Sequence, residues 1–149
     1  MATETPEPRV ADELASRRTG MAFQRTRMSA DRTLMSVIRT SLSLIGFGFT
    51  IFQTFRKAHE AGLIVSSRSP ANFGITLVGL GIAMLGAGIG YHVVFMVGLR
   101  RTRAKLADNG LIHADSLFPV SLTLMVAIVL LGIGLLAIAS MTLDIPPFR

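Results

Sequence analysis

The sequence predicts an all-α integral membrane protein with three transmembrane helices, and three observations carry that prediction. Apolar runs at about 33–55, 73–99 and 119–142 are each long enough to cross a hydrocarbon core of about 30 Å. Half of the 149 residues are hydrophobic and the mean hydropathy is +0.55, the balance of a small membrane protein. The charged residues gather between the runs and at the ends of the chain. There is no strong internal repeat and no Gly/Ser-rich linker. The expected organisation is therefore a polar, basic N-terminal segment over 1–30 and one membrane domain over 31–149. The net charge of +6 and pI near 11.3 fit basic flanks held against anionic lipid headgroups, and nucleic acid is not expected as a partner. With no cysteine there is no disulfide framework and no thiolate site.

The opening stretch ATETPEPRVADE is acidic, proline-containing and poor in large apolar residues, which predicts disorder. No apolar h-region occurs in the first 30 residues, so a signal peptide is not expected. From Val10 onward Leu14, Met21, Phe23 and Met28 are scattered among Arg17, Arg18, Arg25 and Arg27, a pattern suited to a segment lying on the membrane surface. Gly20 is expected to interrupt it.

The first span carries the most information. From Leu34 to Phe55 it holds a single charge, Arg39. Its polar and small residues, Arg32, Ser36, Arg39, Ser43, Gly46, Thr50 and Gln53, step alternately by four and three and so share one side of a helix. Such a stripe is expected to turn away from lipid. An arginine at the centre of a membrane helix costs about 2.5–3.5 kcal/mol unless it faces a bundle interior, faces water or snorkels. Arg39 lies about 10 Å along the axis from Arg32, within reach of the headgroups, so snorkelling accounts for it alone. Snorkelling leaves Ser43, Thr50 and Gln53 unexplained. Those three fit either a helix-packing face or a polar seam, dry or wet. Arg25, Arg32 and Arg39 are seven apart, and a helix entering from Arg25 would extend the stripe as a basic ladder. An ordinary positive flank before a first membrane helix is the simpler account of Arg25.

The stretch 56–72 reads as a loop ending in Ser-Pro-Ala-Asn, a helix-start cluster. The second span has no Asp, Glu, Lys or Arg and is rich in glycine, with Gly86-x-x-x-Gly90 offering the spacing that lets helices approach closely. No Lys-Ser/Thr follows the glycines, which excludes a phosphate loop. Tyr91 and His92 form its polar pair, and a buried His there is expected to be satisfied by a neighbour. A second loop is expected over 100–118, with Arg100, Arg101, Arg103 and Lys105 at its start, and Pro119 suits the first turn of the third span. Ten Lys and Arg stand on the side of the N-terminus and second loop against four on the other, so the positive-inside rule predicts a cytoplasmic N-terminus and an outside C-terminus.

Ser29-Ala30-Asp31-Arg32-Thr33-Leu34, followed by Ile38-Arg39-Thr40-Ser41-Leu42 and Gly46-Phe47-Gly48, resembles the three-helix membrane domain of the bacterial YidH (DUF202) family, a domain of unknown function. The family signature is of the type A-N-E-R-T-F-L-A-W-x-R-T-S-L. Here Ser29-Ala30-Asp31 stands where A-N-E is usual and Val37 where Trp is usual. The motif covers about 20 residues, and the helix layout extends the resemblance over most of the chain. The chain is also similar to the membrane subunits of the yeast vacuolar transporter chaperone, a polyphosphate polymerase complex. The resemblance implies a multi-pass protein of the bacterial inner (plasma) membrane. In the yeast machinery, basic residues of the first span are implicated in passing a polyanion. Arg32 matches the motif's arginine and Arg25 a basic position seven before it, while Arg39 matches the bacterial signature but not the yeast subunit.

No HExxH, G-x-S-x-G or Walker motif occurs, and no paired carboxylates lie in the spans. His59, His92 and His113 share no metal-like spacing, so neither enzyme activity nor a metal or other cofactor is expected. Two functions from different classes remain. In the first, the protein forms a homo-oligomer whose first helix lines a path for a phosphate-like anion or polyanion, with Arg25, Arg32, Arg39, Ser36 and Ser43 as the anion-facing residues. Rings of arginine are a physical basis of anion selectivity, and three spans are too few to enclose a conduit alone. In the second, it conducts nothing and is a scaffold or assembly subunit that binds lipid headgroups or a partner protein.

Overall fold

The computed structural model describes residues 7–63, 68–108 and 121–143. They form three helices: α1 (Glu7–Glu60), α2 (Arg68–Asp108) and α3 (Leu122–Leu143). All three are long and apolar enough to cross a membrane. The expected all-α fold with three spans is what the chain adopts, as a multi-pass membrane protein. Its outer surface agrees: Leu42, Phe47, Leu80, Val94, Leu122, Ile128, Val129 and Leu136 are all exposed, an arrangement that suits hydrocarbon and not water.

Two of the helices run well beyond their apolar spans. α1 has 54 residues and α2 has 41, about 81 and 62 Å, whereas the 22 residues of α3 cover only about 33 Å. The expected break at Gly20 does not occur. One glycine costs a helix about 1 kcal/mol, and the good helix formers around it, with an Arg17–Glu13 pair at 2.7 Å one turn apart, carry the helix through. Helix from Glu7 onward also replaces much of the expected disorder, and the earlier residues lie outside the described ones. The expected second loop is shortened likewise: Arg100 to Lys105 continue α2. Pro119 lies outside the described residues.

At its other end α1 stops in a defined way. Gly62, at φ 71°, takes the left-handed conformation, Leu63 N–H donates to the Ala58 carbonyl at 3.0 Å and Gly62 N–H to that of His59 at 3.0 Å. This is the paired cap that a left-handed glycine permits two residues past the last residue of a helix.

The helices pack up, down and up. α2 is antiparallel to α1: Gly48 meets Gly74, Ser41 and Ile45 meet Gly81, and Val37 meets Gly88. α3 runs parallel to α1, with Asp31 against Ser121 at one end and Ile45 against Gly134 further along. The core is two clusters along this axis. Leu34, Ile38, Leu85 and Ala127 form one, and Ile45, Phe52, Val78 and Met141 the other. A Cβ at Gly74 would lie 2.7 Å from the Gly48 carbonyl oxygen, and one at Gly81 would lie 3.0 Å from that of Ser41. Backbones meet here, so these positions require glycine. Gly86 and Gly90 have nothing within 4 Å of a built Cβ, so the Gly-x-x-x-Gly pair makes no close approach among the described residues of the chain itself.

Candidate functional site

Helix α1 presents two opposed rows. Leu34, Ile38, Ser41, Ile45, Gly48 and Phe52 recur by four and three and are buried against α2 and α3. Two residues away from each, on the far side of the helix, stand Arg32, Ser36, Arg39, Ser43, Gly46 and Thr50, all exposed. Gln53, last in the sequence stripe, is half-buried. Within a single chain the stripe therefore turns away from the bundle, not into it. The glycines of α2 decide this, because they accept the Ser41–Ile45 side of α1 at backbone distance and leave no room for a guanidinium.

Arg25, Arg32 and Arg39 lie on one uninterrupted helix, about 10 Å apart, and all three are exposed. α3 gauges their depth. Asp31 meets Ser121 just ahead of the first residue of α3, and Phe52 shares a cluster with Met141 near its last. Arg25 thus lies beyond the level at which α3 begins, Arg32 close to that level and Arg39 about 10 Å further along the span. Among the described residues none of the three has a carboxylate partner, whereas Arg17 pairs with Glu13 and Arg56 with Glu60, at 2.7 and 3.0 Å.

The hydroxyls of the row are less available than their positions suggest. Ser43 Oγ donates to the Arg39 carbonyl at 3.0 Å and Thr50 Oγ to that of Gly46 at 2.9 Å. A hydroxyl has one proton to give, so these two keep only acceptor capacity outward. Of the two predicted serines, Ser36 makes no such bond among the described residues and Ser43 does. An anion beside this row would be held by the guanidiniums.

A second polar group lies on the inner side, and sequence reasoning did not assemble it. His92 is 2% exposed and its Nε2 lies 3.5 Å from Asp31 Oδ1; Ser121 Oγ donates to that same oxygen at 2.7 Å. Tyr91, the other half of the sequence pair, points outward and stacks on Phe95 at 6.2 Å, beside a groove of about 260 Å³ lined also by Thr26, Ser29 and Thr33. The sequence did hold one signal: His92 is the sole imidazole in a span otherwise free of charge, and ionisable residues at such depths face the bundle interior.

A family described as "Domain of unknown function (DUF202)" matches residues 25–105, a stretch that begins at Arg25 and contains the whole arginine row and most of α2. No curated protein and no solved structure matches the chain.

Proposed function

The chain belongs to the DUF202 family, and from that footing we propose that it works as a homo-oligomer in which the outward arginine row of α1, contributed by each copy, faces a shared path for phosphate-like anions or a polyanion. The observation that carries this reading is the placement of Arg32 and Arg39 on the side of α1 opposite its own core, with no carboxylate to neutralise them among the described residues. In an isolated chain that row would meet lipid at a cost of about 2.5–3.5 kcal/mol for an arginine at the helix centre. A second copy laid against the row removes the exposure, and several copies around it enclose water and positive charge together. The stepwise depth of Arg25, Arg32 and Arg39 gives an anion successive cationic stations leading inward from the basic end. The likeness of Arg25 and Arg32 to the basic positions of the polyphosphate machinery points the same way. The basic end faces the cytoplasm under the positive-inside rule.

The test has two stages. Native mass spectrometry of the protein in mild detergent is expected to return one uniform assembly of at least three subunits. Arg32→Leu with Arg39→Leu is then expected to keep that assembly and lower anion flux into proteoliposomes at least tenfold. A monomer or dimer overturns the path, since too few helices surround it. Loss of assembly in the double variant, with no flux in the wild type, favours a scaffold.

A further inference from the structure

On the opposite side of α1 from the arginine row, the three helices converge on a single carboxylate oxygen. We propose that His92, Asp31 and Ser121 form an internal proton-binding site, with the proton itself as ligand and His92 as the group that takes it. The proposal does not depend on the anion path.

The argument starts from what the imidazole lacks. Both ring nitrogens of His92 are buried, and neither makes a hydrogen bond among the described residues. A neutral imidazole has one N–H to give and one lone pair to satisfy, and here both go unmet. Buried polar groups are normally paired, so an orphaned ring asks for an explanation. The nearest polar atom is Asp31 Oδ1, 3.5 Å from Nε2 and just outside hydrogen-bond range. Protonation changes that geometry's worth. The imidazolium carries N–H on both nitrogens, and a charge-assisted bond to a carboxylate settles at about 2.7–2.9 Å, a closure of well under 1 Å.

The surroundings supply a route and little competition. The Asp31 side chain is 26% exposed while that of His92 is 2%, so the carboxylate is the open side of the site. The site lies level with the start of α3, at the end of the bundle from which the basic parts of α1 and α2 extend, and that end is the side from which a proton would reach it. From α3 no titratable group faces His92, because Leu122–Leu143 contains none; Ser121, just ahead of its first residue, donates its hydroxyl to Asp31 and fixes the shared oxygen in place. On α1 the other charged group on the inward row is Arg27, half-buried one turn before Asp31 and engaged in an interaction of its own. On α2, Tyr91 is exposed and the nearest charge is Arg100, about two turns on. Among the described residues Asp31 is thus the carboxylate in direct reach of the ring.

A bound proton would act mechanically as well as electrically. The His92–Asp31 bond joins α2 to α1, and Ser121 already joins α3 to the same oxygen, so one proton ties three helices at one level.

The experiment is a pH titration of ¹⁵N-histidine-labelled protein in detergent micelles, read from imidazole nitrogen shifts. His92→Gln assigns the resonance, and the exposed His59 serves as internal reference. The wild-type His92 ring is expected to show imidazolium nitrogen shifts at the acid end of the titration, where the Asp31 carboxylate can accept the added N–H. In Asp31→Asn its protonated-to-neutral ratio at pH 6 is expected to fall about tenfold, the effect of one adjacent opposite charge, with His59 unchanged. A His92 ring that stays neutral across the whole range overturns the proposal on wild-type protein alone, whether or not the variant folds. A titration identical in Asp31→Asn overturns it too, since Asp31 would then be no part of the site.

Discussion

Ser41 lies in the tightest part of the contact between α1 and α2. Its hydroxyl is fully buried and has no hydrogen-bond partner among the described residues, although its backbone carbonyl faces Gly81 at close range. A buried, unpaired hydroxyl forfeits its hydration and receives nothing in return. Ser41→Ala is therefore expected to raise stability by about 1 kcal/mol, measured as a higher melting temperature in detergent. The sequence disclosed the polar residues of α1 but not their directions. Ser41 belongs to the inner row and Ser43 to the outer one, two positions away. The rows repeat at the same interval, and in lipid hydropathy does not dictate which row packs, because the tails are as apolar as leucine. His92 shows the same gap from the other side. Its isolation in an uncharged span was visible, but its partners Asp31 and Ser121 come from helices whose register only the fold supplies.

At the scale of the element, α1 and α2 are held together by glycines spaced seven apart on α2, namely Gly74, Gly81 and Gly88. Each is set against α1, and at the first two the neighbour is backbone, which cannot yield. Gly81→Ala forces a Cβ to 2.8 Å from Ile45 and 3.0 Å from the Ser41 carbonyl, and is expected to cost about 1–3 kcal/mol. Gly86→Ala meets nothing and removes a flexible residue from a helix interior, so it is expected to gain about 0.5–1 kcal/mol. Thermal denaturation of the two variants side by side checks both signs, and equal effects would contradict the packing. Glycine richness was plain in the sequence. Which glycines mattered was not, since Gly86 and Gly90 carry the familiar spacing while the contacts use the heptad.

For the whole molecule, the antiparallel register puts the two overhangs on the same end. The N-terminal half of α1 brings Arg17, Arg18, Arg25 and Arg27 beside the C-terminal part of α2 with Arg100, Arg101, Arg103 and Lys105. The span count and the charge asymmetry were legible because both are sums over many residues. The helix ends were not, because continuing a helix into water depends on small local terms that a charge run does not disclose. If the basic end is cytoplasmic, a cysteine introduced by Thr142→Cys, the sole thiol in the chain, is expected to react with a membrane-impermeant maleimide from outside intact cells. Labelling only after lysis would reverse the orientation.

The glycine heptad also makes the α1–α2 pair sensitive to phase. One residue inserted between Gly81 and Gly88 turns everything beyond it by about 100° around the helix axis, carrying Gly88 off Val37 and His92 off Asp31 together. A seven-residue insertion at the same point restores the angle to within about 20° and displaces the later contacts by about 10 Å along the axis. The pairing behaves like a toothed rack, intolerant of single-codon insertions and deletions and far more forgiving of changes in multiples of seven.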